Sequence, residues 1–343
     1  MVKRATIADV AKAAGVSLAT VDRVLNGRLP VRGDTAQKVY AAARGLDFHA
    51  ATLIGRRLEA DLPELRLGFL LEPPGQAFYR ALTDALIDAT AALPDVRGRA
   101  MVDHWAEQDP DEIARRLKLL AARCQAVALV SPEHPTITAA IEDVKARGVP
   151  VFALLSDCAV GVRDAYIGID NRKVGRTAAW MLSKCAAGPG RIAFFVGSHR
   201  FHGHEMREIG LRAFFRERAP QFTVLDTIVN LESPERTQEA LLGLLAAHDD
   251  LVGCYVGGGG SEGAVDAVRA TDPARRPALV CNEITPATRS ALADELAVMS
   301  IATPVARLAA ETAAAMAAAL RPGSAGTPGQ VILPFDLHLP ETI

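Results

Sequence analysis

The chain has 343 residues, half of them apolar, enough to bury several cores and long enough for two or three domains. Its formal charge of −2 hides an asymmetry: residues 1–60 hold ten Lys/Arg against five Asp/Glu, which leaves the rest at −7, so the amino end is the nucleic-acid candidate and the remainder is not. Five cysteines (124, 158, 185, 254 and 281), an odd number with no CxxC spacing and mostly apolar neighbours, argue against a disulfide framework or a cysteine metal site and suit a reducing compartment.

The first pattern, Thr6–Asn26 (TIADVAKAAGVSLATVDRVLN), holds two short helix repeats meeting at Ala14-Gly15-Val16. Thr6 and Ser17 stand where their hydroxyls cap the free N–H groups of each. Ile7, Val10 and Ala11, then Val21, Val24 and Leu25, recur at three- and four-residue intervals, giving each helix one apolar stripe. A helix-turn-helix is expected, although any small αα-hairpin would share the spacing. The other face of the second helix carries Leu18, Ala19, Asp22 and Arg23, with Ser17 and Thr20 near its start. Side chains there reach base edges in a major groove while hydroxyls and N–H groups hold phosphates. Met1–Arg4 lead directly into this helix signal without a secretory segment, and no apolar run approaches membrane-spanning length, so a cytoplasmic location is expected.

In the segments IADVAKAAGVS and ATVDRVLNG the chain closely resembles the headpiece of the LacI/GalR family of bacterial transcription regulators. The resemblance implies base-reading roles for Leu18, Ala19 and Arg23, and phosphate-contacting or supporting roles for Thr6, Ser17, Thr20 and Asn26. Asp22 departs from the serine common in that family; it accepts from a cytosine amino group, orients Arg23, or is a solvated charge answering Arg23 or Arg28. Gly27–Pro30 end the second helix, and Thr35 caps a third pattern whose Val39, Ala42 and Ala43 close a small core, making residues 1–48 a headpiece. Residues 49–64 read as a linker. In the family this stretch becomes a hinge helix that wedges a leucine into the minor groove; here Ala51 replaces the usual asparagine, Arg56 and Arg57 are placed to neutralise phosphate, and Leu53 or Leu58 is the candidate wedge.

From Leu65 onward, strand-like runs (LRLGFLL, RAMVDHW, AVALVS, VPVFALLS, AYIGID, RIAFFVG, TVLDTIVN, LVGCYVG, ALVCNE, AVMSIAT) alternate with helical ones. This βαβα rhythm, repeated once, predicts two doubly wound α/β lobes with a ligand cleft at their strand ends. The family resemblance implies the same: a two-lobed core like type I periplasmic binding proteins, with lobe 1 at about 65–160 and 300–325 and lobe 2 at about 161–299 and 326–343. On that scheme the chain crosses near Asp157–Asp164, Pro286–Met299 and Pro322–Pro328. No leucine heptads follow Pro334, so a homodimer rather than a tetramer is expected.

Candidate effector contacts stand past the strand ends: Gln76, Phe78 and Tyr79; Asp103, His104 and Trp105; Ser131; Ser156 and Asp157; Asn230; Gly258; Glu283; and Thr303. Phe78 and Tyr79 either stack on a ligand or pack the first helix of the lobe. Aligning Gly210 with a family glycine implies that Arg207 is the effector-clamping arginine, whose planar fork suits two oxygens. Gly257–Gly260 replace the Asn-Asp pair usual in relatives, which makes room for a larger ligand or brings backbone N–H groups forward. The loop lacks a clean GxGxxG or a Gly-Lys-Ser/Thr ending, and His199, His202 and His204 fit no standard zinc spacing, so neither cofactor nor metal is expected. The expectation is a DNA-binding transcription regulator, a repressor rather than an enzyme, binding duplex operator DNA as a homodimer under control of a sugar, polyol or related metabolite. A solute-binding protein of a transport system would share the core, and a doubly wound enzyme is the third reading.

Overall fold

The computed structural model describes residues 5–26, 31–55, 62–321, 323 and 329–343. Two compact units emerge, residues 1–65 with 93–98 and residues 66–92 with 99–343.

In the first unit, α1 (Ile7–Ala14) ends at Gly15 in left-handed backbone (φ 66°), and α2 (Leu18–Asn26) follows. Thr6 and Asp9 cap α1 reciprocally: the Thr6 hydroxyl accepts from Asp9 N at 3.3 Å, and Thr6 N donates to Asp9 Oδ2 at 2.9 Å. Ser17 Oγ accepts from Thr20 N at 3.2 Å and opens α2 in the same way. α3 (Gly33–Gly45) starts before Thr35, at Arg32, with no side-chain cap. Val10, Ala11, Val21, Val24, Val39 and Ala43 form the core, as their spacing requires, while Ile7 stays 37% exposed. Phe48 and Ile54 join that core and residues 51–55 are helical, so the headpiece core runs into the stretch read as linker. Leu53 is exposed on this turn. Arg28, Arg56, Arg57 and Leu58 lie outside the described residues.

The second unit carries the α/β rhythm. In chain order its strands are β1 (Glu64–Leu71), β2 (Arg97–His104), β3 (Ala126–Leu129), β4 (Val151–Leu154), β5 (Ala165–Ile169), β6 (Arg191–Val196), β7 (Thr223–Val224), β8 (Ile228–Val229), β9 (Leu251–Val256), β10 (Ala278–Asn282), β11 (Met299–Ala302), β12 (Gln330–Leu333) and β13 (Asp336–His338). The helices between them are α4 (Ala77–Ala91), α5 (Pro110–Ala121), α6 (Pro135–Ala146), α7 (Asn171–Cys185), α8 (His202–Arg218), α9 (Pro234–Ala247), α10 (Ser261–Ala270), α11 (Pro286–Ala293) and α12 (Val305–Ala319). One sheet runs β12-β5-β4-β3-β1-β2, the other β13-β11-β10-β9-β6-β7 with β8 also on β6. β3 and β4 are apolar and buried throughout, as strands covered on both faces must be. β13 pairs antiparallel on β11.

This topology moves all three expected crossings later in the chain. β5 belongs to the first sheet, so the first crossing follows Ile169 rather than lying near 157–164. β11 belongs to the second, so the return follows Ala302; β12 is again in the first sheet, which puts the last crossing between Leu333 and Asp336. Each lobe keeps one more strand, β5 or β11, before the chain crosses, and takes its edge strand, β12 or β13, from a later crossing, an arrangement the strand rhythm does not announce.

Candidate functional site

On the headpiece, α2 turns Val21 and Val24 inward, which leaves Leu18, Ala19, Asp22, Arg23 and Asn26 exposed on the other side. Thr6 and Ser17 are exposed and Thr20 half-buried, with Ser17 Oγ also 2.9 Å from Thr20 Oγ1. Asp22 is engaged along its own helix: Asn26 Nδ2 donates to Asp22 Oδ1 at 2.7 Å. The sequence reading did not foresee this pairing; it neutralises part of Asp22's acceptor capacity beside Arg23.

In the second unit a cavity of about 480 Å³ opens where the strand ends of the two lobes face each other. Of the residues expected there, Gln76, Phe78, Tyr79, Ser156, Arg207, Gly258 and Glu283 line it. The others do not, and their polar atoms are engaged within the fold. Asp103 accepts from Arg116 Nη1 at 2.9 Å, His104 Nδ1 donates to the Glu72 carbonyl at 2.6 Å, and the Trp105 indole donates to the Val130 carbonyl at 3.0 Å. Ser131 lies against Cys158 Sγ at 3.4 Å, and Asp157 forms a two-pronged ion pair with Arg163, whose Nη2 donates to Asp157 Oδ2 at 2.6 Å. Asn230 Nδ2 donates to Thr237 Oγ1 and to the Gly259 carbonyl, each at 2.8 Å. Thr303 donates through N and Oγ1, both at 2.8 Å, to the Glu283 carboxylate.

Arg207 reaches the cavity because α7 and α8 approach closely. A Cβ at Gly175 would stand 1.9 Å from the Arg207 carbonyl, and one at Gly210 would stand 2.1 Å from that of Arg172. Only glycine permits that approach. The buried guanidinium then donates from Nε to Asn171 Oδ1 at 2.8 Å and from Nη1 to the Gly257 carbonyl at 2.6 Å. Asn171 Nδ2 donates back to the Leu155 carbonyl at 3.2 Å, and Gly203 N donates to Ser156 Oγ at 3.0 Å, so these bonds also tie the lobes together.

Among the lining residues that sequence reasoning missed, three are acidic. Glu72 directly follows β1, Glu232 follows β8, and Glu262 lies at the start of α10; all three line the cavity with Glu283. Glu232 sits in the glycine loop. Gly259 N donates to Glu232 Oε2 at 2.6 Å, and a Cβ on Gly259 would stand 2.1 Å from that oxygen. The loop therefore does bring a backbone N–H forward, but onto the chain's own carboxylate. Gln76 Nε2 donates to the same oxygen at 3.4 Å across the cleft. Burial first, and then the Glu232 charge, push Glu72 up to about 8, partly offset by a hydrogen bond from the Tyr79 hydroxyl. Burial likewise raises Glu232 and Glu283 above the usual carboxylate range, against the pull of Arg207. His204 moves the other way, down to about 3, by burial and then by the neighbouring Arg207. Of His199, His202 and His204, the last two of which open α8, it alone lines the cavity. Among the described residues no group of three or more His, Cys, Asp and Glu is placed to hold a metal ion, and no helix is long and apolar enough to cross a membrane.

A short helix-turn-helix pair and a two-lobed α/β core with a cavity at its strand ends together define a class, and comparison with known proteins agrees. Residues 6–50 match the lacI family of bacterial regulatory proteins, and residues 67–325 match the periplasmic binding protein domain. The HTH-type transcriptional regulator GalS of Salmonella typhimurium is 30% identical over 214 residues, covering 60% of this chain and 57% of that one. The sucrose operon repressor of Streptococcus mutans is 29% identical over 219 residues, covering 64% of each. The matched segments thus span about three-fifths of those relatives. Among solved structures, a solute-binding protein of an ABC transporter from Burkholderia graminis, in complex with D-arabinose, superposes with a TM-score of 0.74 at 16% identity, covering 81% of this chain and 96% of that one. The chain belongs to the periplasmic binding protein domain family through residues 67–325, and it carries a lacI-family helix-turn-helix domain ahead of that core at residues 6–50.

Proposed function

We propose that the chain is a cytoplasmic, sequence-specific transcription repressor that binds a pseudo-palindromic operator as a homodimer and is controlled by a small polar metabolite of the sugar, polyol or sugar-derivative class. It performs no turnover. The observation that carries this reading is the pairing, in one chain, of an exposed α2 face bearing Leu18, Ala19 and Arg23 with an enclosed cleft fed by both lobes. The cavity volume falls in the range of small-molecule sites. Phe78 and Phe201 supply apolar faces, and Arg207 supplies a fork for oxygens. The sucrose repressor named among the relatives supports a sugar-like effector. Regulation follows from differential affinity: a ligand that bridges the lobes favours the closed core, and the headpieces read out that shift through residues 49–64.

Arg23→Ala is expected to weaken discrimination between operator and mismatched DNA by about 1–3 kcal/mol. Arg207→Ala is expected to keep operator binding and lose the metabolite response. Gel shifts on a mapped operator, with ligands first identified by a thermal-shift screen of sugars, polyols, sugar acids and nucleobases, test both. Loss of DNA binding by a folded Arg207→Ala protein would overturn this division of labour.

A further inference from the structure

We infer that the effector selected by this cleft carries a protonated primary amine on a hydroxylated ring, as an amino sugar does, with the ammonium seated between Glu72 of the first lobe and Glu232 of the second. The inference rests on the reading of the cleft as an effector site and narrows its ligand. Four glutamates, Glu72, Glu232, Glu262 and Glu283, line the cavity. The positive side chains opposing them are partly spent: Arg207 donates from Nε and Nη1 to Asn171 and Gly257, and exposed Arg80 donates from Nη1 to the Pro74 and Gly75 carbonyls at 2.9 and 2.7 Å. The Ser198 carbonyl can only accept, so His204 Nδ1, 3.2 Å away, carries the ring proton and Nε2 is an acceptor. That acceptor lies 3.8 Å from Glu232 Oε1. Two acceptors facing each other in a buried site call for a donor between them, and an ammonium brings three donors with a positive charge.

The hydroxylated remainder is argued from a different group. Asn282 is 3% exposed and lines the cavity; its Oδ1 accepts from the Tyr255 hydroxyl, and its Nδ2 has no hydrogen-bond partner among the described residues. A buried amide donor is costly to leave unpaired, and a ligand hydroxyl oxygen satisfies it. A neutral sugar meets this second need but not the first. In the ligand-free cleft, burial and Glu232 keep the Glu72 carboxyl protonated near neutrality. When the ammonium enters, that O–H bond breaks, the proton goes to buffer, and the carboxylate pairs with the amine.

The test is calorimetry on the full-length protein at pH 7, in two buffers of different ionisation enthalpy. D-glucosamine, D-galactosamine and D-mannosamine are compared with their parent hexoses and N-acetyl derivatives. At least one amine should bind tenfold or more tightly than both neutral counterparts, with net proton release. Glu72→Gln, or Glu232→Gln if the first fails to fold, should erase that preference. Equal or tighter binding of the neutral sugars, amine binding without proton release, or no binding by any of the three amines each overturns the inference. A neutral sugar that binds and shifts operator affinity does so while leaving the regulator reading intact. A bound sugar or amine that never alters operator retention overturns that reading instead.

Discussion

Most polar groups at the strand ends of the first lobe are turned back into the protein: Asp103 onto Arg116, Trp105 onto the Val130 carbonyl, Asp157 onto Arg163. At those of the second lobe, Glu232, Asn282 and Glu283 face the cavity, around a glycine loop that has no side chains to fill it. The first lobe supplies its own polar reach chiefly from one place, the end of β1 and the start of α4, with Glu72 and Gln76. Left-handed backbone occurs past strand ends in both lobes, with Leu155 at φ 61° in the first. Glu232 and Glu283 stand in the left-handed region, at φ 63° and 64°, a strained choice for residues with a Cβ. A place past a strand end is therefore not sufficient for ligand contact.

If the first-lobe groups are structural and the second-lobe groups functional, substitutions should separate stability from response. Asp157 and Arg163 have side chains only 7% and 5% exposed, and removing one partner of a buried ion pair leaves the other charge uncompensated. Asp157→Ala is expected to cost about 3–5 kcal/mol in chemical denaturation, while the fraction that remains folded still responds to effector. A folded, fully stable Asp157→Ala protein that has lost only its response would break the contrast. On the other side, Gly259→Ala drives a methyl into the Glu232 carboxylate. The crowding should cost about 1–3 kcal/mol, but the response should fall at least tenfold, measured as the effector concentration that releases operator in a gel shift.

How far the sequence discloses these roles differs by level. The caps of α1 and α2 are legible because Thr6, Asp9 and Ser17 act within one helical turn. Arg207 is legible only through the family resemblance, which aligns Gly210 with a family glycine; the structure supplies the reason, since a Cβ at 210 would stand 2.1 Å from the Arg172 carbonyl. Asp157 misled because its partner depends on how residues 158–162 fold. Glu232 was hidden because two consecutive left-handed residues, Leu231 at φ 51° and Glu232 at φ 63°, deliver it, and neither is a glycine. The glycines that reveal its seat lie 25 residues and more downstream, at 257–260. Short edge strands were illegible as well: TVLDTIVN breaks into β7 and β8, and Pro334 separates β12 from β13 between different sheets.

The contrast extends to protons. Glu72 holds a proton in the folded state that its unfolded counterpart, with an ordinary value near 4.5, has already lost by pH 6. The folded state binds more protons there, so this contribution is full below the unfolded value and is lost as pH rises through about 8. His204 acts in the opposite sense; its contribution is full above 6.5 and is lost as pH falls toward 3. The clean window is pH 6.5–8, where the His204 contribution no longer changes with pH. There, ligand-free protein should lose up to about 1.4 kcal/mol per pH unit for each such proton. Glu72→Gln should flatten that slope, and thermal melts across the window with both proteins measure it.

The smallest expected effect belongs to the one side-chain bond seen between Gln76 and Glu232. At 3.4 Å it is long, and Glu232 Oε2 already accepts from Gly259 N at 2.6 Å. Removing Gln76 therefore leaves no orphaned acceptor, so Gln76→Ala should cost about 0.5 kcal/mol or less in stability. Its effect on effector affinity should be two- to threefold, because the closed arrangement loses one weak cross-cleft contact while the open one loses nothing. A change as large as that of Gly259→Ala would mean that the first lobe orients Glu232 from across the cleft, and the sharp division between the lobes would give way to a shared site.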